Sequence, residues 1–544
     1  MPRTRTHAVD PGSGRVGWAT VAVRADGSRP VLTPFTSLPW AVAAVAVALT
    51  TTILGWRGAD WPAAVYRVTL FRRFGWIGFD TGWYGGHAPV AYSSLFPPLA
   101  ATIGVRTTAL ACAGIATWAF DRFTVRQFGS RARIGTLCFA AGAVVQVVVG
   151  QLAFLLGLTF ALATALAVTT GRRRLALLGA VAAGLSSPVA ALFLAIGTLT
   201  WTLGTRQHLR DALTLAGAAL LPVAVVDVVY AQGGRFPFPL SSLACVLVAC
   251  VLAWLVLPRE EQVLRAGAIV YAAASLALFV IPTPVGGLMT RLGTTIGVPL
   301  VWSAIRRAPR FAIAGLAALT LVWQLAPATG ALGAAAGARP TEAYFAPLTT
   351  ALRRAHANLG RVEIPLTQGH WEAAWVAPSI PLARGWERQL DMVDNPIFYR
   401  NGSITASAYR TWLDENGIGW VALPDLPLDP SARAEAALLR TRPSFLTPVW
   451  HDAHWQLWKV RGSTGLVSGA ASLTALDANS FTIVATRPGP VDVRVRWTRT
   501  WTIDDGDGIA CLERAAHDWT RVQVSRAGTV EVASHLLPTR SSSC

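Results

Sequence analysis

Over the first 330 or so positions the apolar residues do not alternate with polar ones but run together, and they are split by short polar or glycine-rich breaks. A helix needs about 18–20 apolar residues to cross the hydrocarbon of a bilayer. By that measure the pattern predicts spans over residues 38–56, up to residue 120, and over 134–149, 152–168, 212–230, 239–257, 266–281, 288–305 and 311–326. The run 175–201 holds Ser186-Ser187-Pro188. Paired serines and a proline are break points in helices, so the preferred reading is two short helices. Broken, the run gives about eleven crossings and a C-terminus on the far side; as one helix it gives about ten and leaves the C-terminus in the cytosol.

Beyond residue 340 the period changes. Residues 408–416 read as a helix stopped by Gly417, with a strand over 419–423. Val491, Val493, Val495 and Trp497 alternate with Asp492, Arg494 and Arg496, the period of a half-buried antiparallel strand. The expected fold is a membrane all-α polytopic bundle followed by an extracytoplasmic α/β plus β-sandwich region. Its parts are a disordered basic tail (1–37), the membrane domain (38–329, with its first outer loop at 57–97), a small-residue linker (330–340), an α/β domain (341–462) and a β domain (463–544).

Composition sharpens this picture. Of the 544 residues, 53% are apolar and 14% charged, against about 25% charged in soluble chains. The net charge of +18 would raise nucleic acid as a partner in a soluble protein. Here the arginines crowd into short breaks at 122–133, 172–174, 259–265 and 306–310. That is the bias that fixes orientation, so nucleic acid is set aside. The expected location is the plasma membrane, multi-pass, with the N-terminus cytoplasmic and the C-terminal region outside. Cys112, Cys138, Cys245 and Cys250 lie in apolar runs and read as small core residues. Cys511 and Cys544 lie in the polar C-terminal part, which suggests one disulfide on an oxidising side.

Candidate chemistry gathers in the first loop. Asp60 opens Asp-Trp-Pro; it suits a general base or a ligand of a divalent metal ion such as Mg or Mn, and equally a helix N-cap followed by proline. Asp80 sits in Phe-Asp-Thr-Gly, the sequence of an Asx-turn. His87, flanked by glycines and a proline, reads as accessible. Trp76, Trp83, Tyr84 and Tyr92 could stack on sugar rings or form an interfacial aromatic belt. Arg291, near the outer end of a span, suits a lipid phosphate, with snorkelling to the headgroups as the alternative. The acidic run 504–508 departs from the calcium-loop spacing.

The order of parts resembles the polyprenyl-phosphate-sugar-dependent glycosyltransferases of the GT-C superfamily: a basic tail, one span, a long outer loop with an early aspartate, many spans, then an outer soluble region. Trp-Tyr-Gly-Gly-His at 83–87, Tyr-Ser-Ser-Leu-Phe-Pro-Pro at 92–98, the Arg291 segment and residues 409–424 are similar to pieces of actinobacterial membrane proteins related to that superfamily. The resemblance implies an inverting hexosyltransferase with a lipid-linked sugar donor and a cell-envelope glycan, lipid or protein as acceptor. In that family an acidic residue of the first outer loop is catalytic, which falls on Asp60. Many relatives pair two acidic residues there; here Trp61 follows Asp60, so Asp80 is the candidate second carboxylate. His87, Trp83, Tyr84 and Tyr92 would contact substrate, with Arg291 on the leaving phosphate. Asp60 and Arg291 are then expected to face one cavity about one sugar unit apart, too far for an ion pair. The rival readings are a transporter or flippase of envelope precursors and a non-catalytic envelope scaffold.

Overall fold

The computed structural model describes residues 34–230, 233–335, 341–400, 402, 404–506, 508–536 and 543–544. The expected disordered tail lies outside the described residues, apart from the 3-10 turn Pro34–Ser37 at its end. The expected linker is partly helical: the helix Arg310–Ala335 runs through Gly330, and residues 336–340 lie outside the described residues.

Among the described residues six helices are long and apolar enough to cross a membrane: Ser130–Val149, Leu152–Thr169, Pro188–Thr205, Leu209–Val229, Gln262–Val280 and Arg310–Ala331. The chain is a multi-pass membrane protein. A seventh span is formed if Phe96–Ile103 and Val105–Phe128, bent at 110°, count as one. The other apolar segments fall short of the length needed, so six or seven rather than about eleven meet it on their own. Leu38–Ile53 and Leu240–Val256 have 16 and 17 residues. Arg173–Ser186 has 14 and ends where Ser187 turns to extended backbone ahead of Pro188, so the helix does break at the serine pair. The run expected over 288–305 is divided into the 3-10 turn Gly286–Met289, a single turn Thr290–Leu292, the π-turn Gly293–Gly297 and the helix Val298–Ala304. Arg122 and Arg126, expected in a loop, belong to the last turns of Val105–Phe128, where Asp121 accepts a bond from Thr136 at 2.8 Å.

The C-terminal half forms two units. In the first, β1 (Val362–Glu363), β2 (Trp420–Pro424), β3 (Leu446–His451) and β4 (Trp455–Val460) make a sheet in the order β1-β2-β4-β3, with β1 parallel to β2 and the rest antiparallel. Successive strand residues point to opposite faces, and both faces are covered. Ala422 and Leu457 pack with Phe345, Leu348 and Leu352 of the helix Glu342–Arg354. Val421 and Trp458 pack with Tyr409 and Trp412 of Ala406–Glu415 and with Leu439 of Arg433–Arg440.

The second unit is a sandwich. Its strands are β5 (Val467–Ser468), β6 (Ala471–Leu476), β7 (Ser480–Ala485), β8 (Gly489–Arg496), β9 (Trp501–Asp505), β10 (Ala510–Arg514), β11 (Trp519–Val524) and β12 (Gly528–Ser534). They form two antiparallel sheets, β10-β11-β8-β5 and β6-β7-β12-β9. Val491, Val493 and Val495 of β8 face a core shared with Phe481, Ile483, Val530 and Val532, which is why every second residue of that strand is apolar. A disulfide joins Cys511 of β10 to Cys544.

Candidate functional site

The site starts where the first long loop leaves the membrane helices. Its helix, Trp61–Phe74, is stitched at the start to the end of the helix Arg133–Val149. Gly58 N–H donates to the Val148 carbonyl at 2.7 Å, Asp60 N–H to Val149 at 3.2 Å, and the Trp61 indole to Val147 at 2.7 Å. Glycine is required at this crossing. Gly150 has φ +98°, and a Cβ there would lie 2.4 Å from the Trp61 nitrogen.

Asp60 holds the N-cap position but its side chain caps nothing. Two local features explain this. Its backbone is helical (φ −84°, ψ −14°) rather than extended as a cap requires, and Pro62 removes the N–H at the second helical position that a cap would bind. The free carboxylate points to Arg291, with Oδ2 and Nη2 at 4.0 Å and both side chains partly exposed (16% and 18%). This corrects the expected separation: the two groups form an ion pair, because opposite charges in a partly dehydrated niche attract strongly.

More basic residues act electrostatically on Asp60. Arg67 lies seven residues on, two helical turns along the same face. It is buried, pairs with Glu387 and lies over the Tyr92 ring at 3.9 Å, with Trp83 and Trp386 within 6 Å. From the α/β unit come Arg388, bound to Asp429 at 2.6 Å, and His370, whose Nε2 is 3.6 Å from Asp429 and whose Nδ1 is 3.8 Å from Glu372. His370 has a left-handed backbone (φ +54°). Burial pushes the Asp60 carboxyl above the usual range; Arg291, then His370, Arg388 and Arg67, pull it back. One carboxylate acted on by guanidinium groups is a poor donor set for Mg2+ or Mn2+, and among the described residues no three His, Cys, Asp or Glu gather for a metal. The arrangement suits an anion beside a base.

The other loop candidates lie elsewhere. Asp80 is fully buried; it accepts the Tyr66 hydroxyl at 2.7 Å and the Gly82 N–H at 3.2 Å. Burial pushes its carboxyl up to about 7 despite those bonds. His87, expected to be accessible, is 2% exposed and pairs backbone to backbone with Asp80. Burial and Arg67 push its imidazole down to about 3. Trp83 is stacked between Tyr66 and His87 at 4.5 and 4.8 Å, and the Tyr84 hydroxyl donates to the Glu387 carbonyl at 3.0 Å. Asp80, His87, Trp83 and Tyr84 thus lie buried in the packed root of the loop. The loop tip also binds both C-terminal units. Leu382 N–H donates to the Gly82 carbonyl at 2.9 Å, Thr81 N–H to Ala478 at 2.7 Å and Arg496 N–H to Gly85 at 2.8 Å. Tyr92 joins the Asp60 group, under Arg67 and in electrostatic reach of Asp60 and Arg291.

Reading the sequence missed Arg67, His370, Glu387, Arg388 and Asp429. Only Arg67 carried a local signal, its heptad spacing from Asp60; the others come from more than 300 positions away.

No known family model matches the chain, and no curated protein does. Solved structures are similar to it at low identity. The arabinofuranosyltransferase AftD from mycobacteria shares 17% identity over 81% of this chain and 41% of its own, with a TM-score of 0.45. A mutant of that protein gives 17%, 83%, 43% and 0.43. ArnT from Cupriavidus metallidurans in the apo state shares 14% over 78% of this chain and 98% of its own, with a TM-score of 0.43. The chain thus spans about two fifths of the length of AftD. Likenesses at this level assign no function; the geometry around Asp60 is what bears on it.

Proposed function

We propose that this chain is an integral membrane glycosyltransferase of the GT-C type. It moves a sugar from a polyprenyl-phosphate donor to a cell-envelope acceptor at the outer face of the plasma membrane. The observation that supports this is the uncapped Asp60 carboxylate beside Arg291, at the edge of the membrane helices and acted on by Arg67, Arg388 and His370. A base must reach the acceptor, and a cation must take the charge that grows on the leaving phosphate. The acceptor hydroxyl gives its proton to Asp60 as its oxygen bonds to the anomeric carbon. The bond from that carbon to the phosphate oxygen breaks, and its electron pair leaves with the phosphate to Arg291. The forked guanidinium suits that phosphate better than an ammonium would. A raised carboxyl makes Asp60 a better base than a free aspartate, since proton acceptors work best near the operating pH.

The test is transfer from a labelled polyprenyl-phosphate sugar by the purified full chain. Asp60→Asn should lower turnover by about 10²–10⁴-fold, the usual weight of a general base. It should leave the melting temperature nearly unchanged, because no cap bond is lost. Wild-type turnover in Asp60→Asn sinks the assignment of the base. A wild-type protein that transfers no sugar but moves lipid-linked precursor across vesicles would favour the flippase.

A further inference from the structure

The ion pair that displaced the expected gap has a consequence for how the site works. Asp60 and Arg291 are 4.0 Å apart, outside hydrogen-bond reach. The Arg291 guanidinium also lies 5.6 Å from the Phe154 ring and interacts more weakly with Tyr92 than with Asp60. Each group is therefore the other's main charge partner, held loosely and open to solvent on one side.

The turn that carries Arg291 is also built to shift. It is one helical turn between a 3-10 turn and a π-turn. In a regular helix the Gly293 N–H would bind the Met289 carbonyl. Here the Tyr271 hydroxyl is inserted between them, accepting from Gly293 N–H at 3.2 Å and donating to the Met289 carbonyl at 3.0 Å. A group inserted into the helix ladder marks a kink, and π-turns gather at functional sites. The Arg291 turn is thus tied down partly through an exchangeable hydroxyl, beside a backbone bond from the Gly293 N–H to the Thr290 carbonyl. The Asp60 side is rigid by contrast, stitched to residues 147–149 by three bonds.

Resting on the glycosyltransferase reading for the identity of the ligand, we propose that the Asp60–Arg291 pair is a latch that the donor's phosphate releases. In the empty site Arg291 neutralises Asp60, and an opposite charge at this range weakens a carboxylate as a base. An incoming phosphate offers the guanidinium a bidentate partner of higher charge. Arg291 swings with its turn to the phosphate, and Asp60 keeps its proton affinity for the acceptor. The base is armed only when the donor is in place.

The latch makes Asp60 a competitor of the phosphate, which binding measurements read without any turnover. The probe is polyprenyl monophosphate, with free polyprenol as control, titrated into the purified full chain in lipid nanodiscs. Asp60→Asn should bind the phosphate about tenfold more tightly than wild type, within the usual range of site-to-site coupling, and polyprenol equally. Arg291→Gln should lose the preference for phosphate over alcohol, and adding Asp60→Asn to it should change nothing further. Arg291→Lys, which keeps the charge if Gln unfolds the turn, should still show tightening when Asp60 is neutralised. Equal or weaker phosphate binding by Asp60→Asn, with wild type preferring phosphate, overturns the latch and leaves the donor reading standing. A wild type with no preference for phosphate over polyprenol overturns both.

Discussion

Two aspartates of one loop have opposite fates. Asp60 begins a helix, makes no side-chain hydrogen bond there and faces Arg291 with part of its surface open. Asp80 is sealed, its oxygens taken by Tyr66 and Gly82. Both carboxyls are pushed up by burial, yet the cause that opposes burial differs. Around Asp80 it is mainly local hydrogen bonds; around Asp60 it is cations from three separate parts of the chain. A carboxylate satisfied by its own loop builds structure. One left to distant charges is free to meet a ligand. What separates them is the source of their partners, not the residue type or its burial.

The contrast is sharpest in catalysis. Asp60→Asn should cost about 10²–10⁴-fold in transfer, whereas Asp80→Asn should leave turnover within about threefold of wild type. Equal losses in both, with both proteins folded, would mean that Asp80 acts on substrate after all.

The sequence displayed what repeats locally. Apolar runs marked the membrane helices, period-two valines marked β8, and the serine pair before Pro188 marked a real helix break. It could not display pairings such as Arg67 with Glu387, 320 positions apart, or His370 with Asp429. Such contacts are set by how the α/β unit sits on the loop, and no local pattern encodes that. The glycines beside His87 read as exposure for a sound reason, since glycine often lines open loops. Here they serve close packing instead: at Gly86 a Cβ would collide with the Phe79 ring at 1.9 Å. Asp60 was found by its position after the first span. Its escape from capping needed the backbone angles, although Pro62 was a visible clue.

Next in size is a change that moves Asp60 without touching it. Gly150→Ala places a methyl 2.4 Å from the Trp61 nitrogen and 2.8 Å from the Asp60 carbonyl carbon, at a φ of +98° that alanine resists. A displacement of about 1 Å at a reacting group can cost about 10²-fold. Transfer should fall by about that much while Asp60 and Arg291 remain present. Unchanged turnover would show that the stitched crossing does not position the base.

Smaller in its effect on chemistry is the loss of the loop root. Trp83 is fully buried between Tyr66 and His87. Trp83→Ala should lower stability by about 3–5 kcal/mol, with turnover of the surviving folded protein changed far less than by Gly150→Ala. Denaturant titration alongside the transfer assay separates the two. A Trp83→Ala protein of wild-type stability but no activity would return Trp83 to the substrate site.

The smallest effect, and the most specific to Asp80, is a change in pH dependence. Its carboxyl rises from 3.8 to about 7 on folding, so folding favours the protonated form. That contribution is fully present below the unfolded value and is lost as pH rises through about 7. His87 works the other way. Its imidazole falls from 6.5 to about 3, so folding favours the neutral ring, and stability is lost as pH falls below 6.5 toward 3. Each slope is at most one proton, about 1.4 kcal/mol per pH unit. Between the two unfolded values, 3.8 and 6.5, they have opposite signs and largely cancel. Wild type should therefore be nearly flat there as far as this pair is concerned. Asp80→Asn keeps an oxygen to accept from one of the two donors, Tyr66 or Gly82, and removes one slope. Its melting temperature, relative to wild type, should climb as pH rises from about 4 to 6.5, because only the His87 term is left. Parallel curves for the two proteins over that window would show that Asp80 and His87 do not titrate as a buried pair.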